Sequence, residues 1–140
     1  MTRRPSLHPR LIAVVALGGA VGGVLRWGAG VLVPDGSGFP TTTFAINVVG
    51  SLLLALLPAA RAVRRHEALA VALGPGVMGG FTTLSASSEQ TRGLLDGGRP
   101  VLGLGYLLGT LTACLLAVAL ASRLSTAAQQ RQVEDEGGDL

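Results

Sequence analysis

Four long apolar runs separated by short polar connections organise this chain, at about 11–33, 42–60, 68–88 and 101–122. A helix needs roughly 20 apolar residues to cross the hydrocarbon core of a bilayer. Backbone at that depth must satisfy its own hydrogen bonds, so the runs predict an all-α membrane protein with four transmembrane helices. The connections carry turn and charged residues: Pro34 to Gly38 after the first run, Arg61 to His66 after the second, Glu89 to Pro100 after the third. Residues 1–10 read as an N-terminal arm, and 123–140, which close on E-D-E-G-G-D-L, as a disordered polar tail.

The third run departs from a plain spanning helix. Gly74 to Ser88 reads G-P-G-V-M-G-G-F-T-T-L-S-A-S-S, with a proline and four glycines where a helix should be continuous. Proline removes a backbone donor and clashes with the preceding turn, and glycine is the poorest ordinary helix former. A break at the centre of this helix is expected. Irregular backbone at membrane depth is tolerated only where it is buried in protein or lines a polar cavity, so the break marks a candidate functional centre.

Composition agrees with the pattern. Of 140 residues 49% are hydrophobic and 14% charged, against about 25% charged in an average soluble domain. All eleven basic residues are arginine. The sequence pI of 10.4 could suggest nucleic acid, but the arginines sit at the ends of the apolar runs, where they report orientation. Arg3, Arg4, Arg10, Arg61, Arg64, Arg65, Arg123 and Arg131 fall on one side of a four-span chain, and Arg92 and Arg99 on the other. The positive-inside rule then places both termini in the cytoplasm, in a multi-pass protein of the cell membrane. Arg3, Arg4 and Arg10 before Leu11 to Leu25 resemble a signal peptide's first half, yet no small-x-small cleavage site follows and no processing is expected. Cys114 is the sole cysteine, which excludes an intrachain disulfide and a cysteine metal cluster. No set of nucleophile, base and orienting group converges, and no H-E-x-x-H motif occurs, so an enzyme is not expected.

Polar positions inside the runs are the candidate chemistry. Gly18, Gly19, Gly22 and Gly23 form overlapping GxxxG pairs, a face for close helix approach. Arg26, one turn later, fits either an arginine snorkelling to the interface or a cation lining a water-filled vestibule. Asn47, Gly50 and Ser51 share one helix face. Asn47 serves equally as glue to a neighbouring helix or as a pore donor. Thr82, Thr83, Ser85, Ser87 and Ser88 give an unusual hydroxyl density. Each alone fits a bond back to its own helix, while together they suggest a polar lining. Tyr106, Thr110 and Cys114 recur every fourth residue as a weakly polar stripe, beside the close-packing pair Gly105 and Gly109. An interface tyrosine with small packing residues gives the same spacing.

Three ordered segments resemble the Fluc (CrcB) fluoride channels. Gly18 to Trp27, G-G-A-V-G-G-V-L-R-W, is similar to that family's GGxxGxxxR-aromatic signature. Thr43 to Ser51, T-F-A-I-N-V-V-G-S, resembles its TxxxNxxGS, and Gly76 to Ser85, G-V-M-G-G-F-T-T-L-S, its GxxGGxTTFS. The resemblance implies an antiparallel dimer of four-helix subunits that exports fluoride passively along the subunit interface, lowering cytoplasmic fluoride. It also implies a structural sodium ion held at the dimer centre by backbone carbonyls, here those of Gly79 and Thr82. By motif position the fluoride pathway would use Asn47, Thr83, Ser85, Tyr106, Thr110 and Cys114, with Arg26 at the vestibule. The expected partners are the fluoride ion, membrane lipid and a second chain, with no nucleic acid.

Two departures qualify the match. The family's two phenylalanines of the third span, whose ring edges can face an anion, correspond here to Leu84 and Ser87, and Phe81 lies one turn before Leu84. The arginine bias also works against insertion in both orientations. Together they suggest one half of a heterodimer whose partner has the opposite bias and supplies the missing rings. Rival readings are a small multidrug-type transporter subunit, disfavoured because Asp35, Glu67, Glu89 and Asp96 lie at ends or connections, and a non-conducting partner of a fluoride channel.

Overall fold

A computed structural model describes the backbone of residues 8–137 and the side chains of 8–126. The chain is all helical in this range, and four helical stretches, Pro9–Leu32, Thr41–Ala59, Glu67–Asp96 and Pro100–Thr126, are long and apolar enough to cross a membrane.

The first stretch is α1, Pro9–Leu32, with Pro9 in its first turn, where a missing N–H costs nothing. Its six glycines do not interrupt it, because backbone in an apolar medium has no better partner than its own helix. Next comes α2, Thr41–Leu56, which tightens into a 3₁₀ turn at Leu57–Ala59 around Pro58. Two short helices follow, α3 at Arg61–Arg65 and α4 at Glu67–Val71.

Beyond α4 the backbone is irregular. Residues Ala72–Met78 form a π-helical turn containing Pro75. The wider turn accommodates a residue that lacks an N–H and would crowd the carbonyl one turn back. A single turn, α5 at Gly79–Phe81, comes next. Thr82 (φ −75°, ψ 156°) and Thr83 (φ −152°, ψ 112°) then take extended backbone before α6, Leu84–Asp96. The proline and first glycines therefore widen the helix, and the extended residues come later, at the two threonines. The chain leaves α6 through Gly98, whose φ of +72° is the only positive value among the described residues. Only glycine adopts that angle without strain. The last helix, α7, runs Pro100–Gly137, beyond Ser122 and into the polar segment.

The glycines of α1 face the irregular segment. A Cβ on Gly18 would lie 2.5 Å from the Ala72 carbonyl oxygen and 3.0 Å from Gly76 Cα, and one on Gly22 would overlap Val77 O and Phe81 N. The two backbones thus touch directly, as the GxxxG spacing predicts. Gly23 meets nothing within 4 Å. On the other side of the bundle α2 and α6 pack along α7.

The interior is more polar than the exterior. Buried residues include Thr43, Asn47, Thr83, Ser87, Thr91 and Thr110, while Leu17, Val24, Leu32, Leu108, Leu111, Leu115 and Leu116 are exposed. Lipid solvates apolar side chains as well as a protein core does, so such helices associate through small residues and internal hydrogen bonds.

Candidate functional site

Asn47, buried on α2, faces the two extended threonines. Its Oδ1 accepts from the Thr83 N–H at 2.7 Å, and its Nδ2 donates to the Thr83 carbonyl at 3.1 Å and to Ser87 Oγ at 2.9 Å. Asn47 Oδ1 therefore replaces the helix carbonyl that the Thr83 N–H gives up. The first residues of α6 follow the same rule: Thr83 Oγ1 caps them, accepting from the Ala86 N–H at 3.1 Å. Gly50, one turn along α2, leaves room for Phe81 and for the Thr82 methyl group.

These bonds redirect donors away from two carbonyls. In a continuous α-helix the Thr83 N–H would serve Gly79 O, and the Ala86 N–H would serve Thr82 O. Here the first goes to Asn47 and the second to Thr83 Oγ1. Gly79 is also exposed. Among the described residues no group of His, Cys, Asp or Glu could hold a metal ion, so a cation bound here would rely on carbonyl oxygens. Hard cations take about six oxygen ligands. The residues fit such a role, with one chain supplying part of the shell.

A hydrogen-bonded relay leads from Asn47 to one end of the bundle. Ser87 Oγ lies 3.2 Å from Thr83 O and 3.3 Å from the Tyr106 hydroxyl, and Tyr106 donates to Gln90 Oε1 at 2.8 Å. Gln90 Nε2 donates to Thr43 Oγ1 at 2.9 Å and to Asp35 Oδ2 at 3.0 Å. Asp35 also accepts from the Thr43 hydroxyl at 2.7 Å and from the N–H groups of Thr42 and Thr43 at 2.7 and 3.1 Å. The carboxylate thereby caps α2 from the preceding connection. Burial pushes its pKa up, but the bonds from Thr43, Thr42 and Gln90 together outweigh that and hold it below the ordinary value. Tyr106 is fully buried, its ring 5.3 Å from that of Phe39 at an interplanar angle of 88°.

The structure thus brings together Asn47, Thr83, Ser87 and Tyr106. Thr110, one turn from Tyr106, donates to the Tyr106 carbonyl at 2.7 Å, and Cys114 is half-buried a further turn along. Ser85 is exposed, its hydroxyl 3.2 Å from Thr83 Oγ1, and Leu84 is 78% exposed. Thr82 Oγ1 bonds back to Met78 O at 2.9 Å and Ser88 Oγ to Leu84 O at 2.9 Å, the local bonding open to any membrane hydroxyl. Arg26 lines a cavity of about 310 Å³ with Gly23, Trp27, Thr42, Thr43 and Thr83, and its buried Nε has no hydrogen-bond partner. Asp35 and Gln90 are the residues the sequence reading missed. The signal for Gln90 was the continuation of one helix face through Thr83, Ser87, Gln90, Thr91 and Leu94, beyond the Ser88 limit set for the third span.

Comparison with known proteins matches residues 13–122 to the family model described as CrcB-like protein, Camphor Resistance (CrcB). Among curated relatives, Fluoride-specific ion channel FluC 2 of Streptomyces avermitilis is 42% identical over 120 residues, covering 78% of this chain and 72% of that protein. Fluoride-specific ion channel FluC of Thermus thermophilus is 42% identical over 119 residues, covering 81% and 94%. Fluoride-specific ion channel FluC 2 of Nocardia farcinica is 36% identical over 135 residues, covering 92% and 96%. With a family model spanning residues 13–122 and curated relatives 36–42% identical over most of its length, the chain belongs to the CrcB-like family.

Proposed function

We propose that this chain is a subunit of a fluoride-selective channel that lets fluoride leave the cytoplasm passively. The observation that carries this reading is the buried polar relay from Thr83 through Asn47 and Ser87 to Tyr106, in a bundle whose exposed large side chains are mostly leucine and valine. Its support from relatives is their common name as fluoride-specific channels. Fluoride is small and strongly hydrated, so a pore must offer O–H and N–H donors in place of water without trapping the ion. Asn47, Thr83, Ser85, Tyr106, Thr110 and Cys114 are the candidate donors, and Arg26 is the vestibule cation that raises local anion concentration.

In this reading the carbonyls of Gly79 and Thr82 hold a sodium ion together with carbonyls of a second, oppositely oriented chain. The ion would supply fixed positive charge and tie the two subunits. The arginine bias favours one orientation with both termini cytoplasmic, and Leu84 and Ser87 leave the ring positions empty. The second chain is accordingly a related subunit of opposite bias that brings its own phenylalanines, and the exposed Leu84 lies on the surface open to it. One observation favours a second reading, a non-conducting partner: both Asn47 amide hydrogens and the Tyr106 hydroxyl are already committed within the subunit.

The test is fluoride efflux from liposomes, followed with an electrode, for this chain alone and for this chain with a related four-span chain of opposite arginine bias. Efflux from the pair and not from the single chain supports the heteromeric channel. Robust efflux from the single chain, with subunits in both orientations, would sink the heterodimer and keep the channel.

A further inference from the structure

The Tyr106 hydroxyl carries one proton and has two neighbours able to take it, Gln90 Oε1 at 2.8 Å and Ser87 Oγ at 3.3 Å. Which one receives it depends on how the Gln90 amide is turned. That amide is turned by Asp35. A carboxylate only accepts hydrogen bonds, so the face of Gln90 toward Asp35 Oδ2 has to be its nitrogen, and its oxygen is left facing Tyr106. The Thr43 hydroxyl is used in the same sense: it donates to Asp35 and accepts from Gln90 Nε2. Every bond from Asp35 through Thr43 and Gln90 to Tyr106 therefore runs in one direction, toward the carboxylate.

We infer that Asp35 and Gln90 are positioning residues that hold the Tyr106 proton toward Gln90 and away from Ser87, withholding that donor from an anion beside the hydroxyl. Without the carboxylate, Gln90 is free to turn its amide over. Its NH₂ then faces the Tyr106 oxygen, and the phenol proton turns toward Ser87. The orientation of the proton stands on hydrogen bonds alone, whereas its consequence for conduction rests on the placement of Tyr106 in the fluoride pathway. Among the described residues, the other charged group lining the roughly 370 Å³ cavity beside Asp35 is Arg99, which donates to the Ser37 carbonyl.

Tyr106 is the sole tyrosine of the chain, so its Raman doublet reports whether the hydroxyl donates or accepts, free of interference. In the full chain in lipid, the doublet is expected to show a strong donor for wild type and to move toward the acceptor pattern in Asp35→Asn. The double variant Asp35→Asn with Gln90→Glu puts the carboxylate on the other side of the same contact. There it again accepts from Tyr106, and the donor pattern should return. Because a merely destabilising change at position 35 would not be reversed by a second substitution, this recovery separates positioning from general structure. Should Asp35→Asn not fold, acid titration of wild type gives the same readout: protonating Asp35 should move the doublet as the single variant would.

An unmoved doublet in Asp35→Asn, or in wild type through Asp35 protonation, would overturn the inference. Fluoride efflux from the paired channel is expected to rise about fivefold in Asp35→Asn, the effect of releasing one hydrogen bond. A shifted doublet with unchanged efflux supports the positioning and overturns the assignment of Tyr106 to the pathway.

Discussion

The two sides of this bundle are built from different materials. Where α1 crosses the irregular segment, Gly18 and Gly22 lie directly against the backbone of Ala72, Gly76 and Val77. Where α2, α6 and α7 meet, Asn47, Thr83, Ser87, Gln90 and Tyr106 join through side-chain hydrogen bonds. A contact made of backbone has no rotamer to give, so it is intolerant of any added atom. A relay of hydroxyls and amides can reverse its protons and exchange members while the helices stay in place. The rigid side fixes how α1 sits against the irregular segment, and the adaptable side suits the anion pathway proposed above.

The comparison breaks most severely at the seam. Gly22→Val would drive methyl groups into Val77 O and Phe81 N, and overpacking against backbone costs about 3 kcal/mol, so loss of folded protein in detergent is expected. Gly23→Ala, one residue on and with nothing within 4 Å of its Cβ, should lose no subunit stability. Equal damage from both would show that the seam is not a specific contact. Next in size is Asn47→Leu, which strands the Thr83 N–H in a buried site, while the Thr83 carbonyl keeps the Ser87 hydroxyl. Unsatisfied buried groups cost about 1–3 kcal/mol each. Hydrogen exchange at the Thr83 amide should accelerate while amides within α1 stay protected.

Asp35 gives a smaller, pH-dependent effect. Its folded pKa lies below the ordinary value, so its contribution to stability is complete above the unfolded carboxylate pKa of ~3.9. That contribution is lost as pH falls through the depressed folded value. Thermal unfolding of wild type should therefore weaken in acid more than that of Asp35→Asn, and parallel curves would contradict the capping role. Smallest is Ser85→Ala: Ser85 is exposed and bonds only Thr83 Oγ1 among the described residues. Subunit stability should change by less than about 0.5 kcal/mol, while fluoride efflux from the assembled channel slows.

Much of the seam was legible because glycine spacing and hydropathy are local signals. The four apolar runs predict the spans, and Gly18 and Gly22 lie where GxxxG places them. The relay was only half legible. Asn47 and Tyr106 stand out as costly residues in apolar runs, but nothing local says that Asn47 meets Thr83, 36 positions away. Asp35 reads as an ordinary turn residue until the fold brings Gln90, 55 positions on, against it. The sequence places a break within Gly74 to Ser88 without saying where in that stretch the backbone extends, since proline and glycine weaken a helix at several positions. A π-helical turn absorbs Pro75, whereas Thr82 and Thr83 depart from the helix where Asn47 supplies a substitute partner.

The most direct measurement is fluoride efflux from liposomes holding this chain together with a related chain of opposite arginine bias, recorded with a fluoride electrode and repeated with chloride. Rapid fluoride efflux without chloride efflux is expected, abolished when Asn47 is replaced in this chain and weak when this chain is alone. Fluoride retained by vesicles that contain both chains, correctly opposed and folded, would contradict the channel assignment.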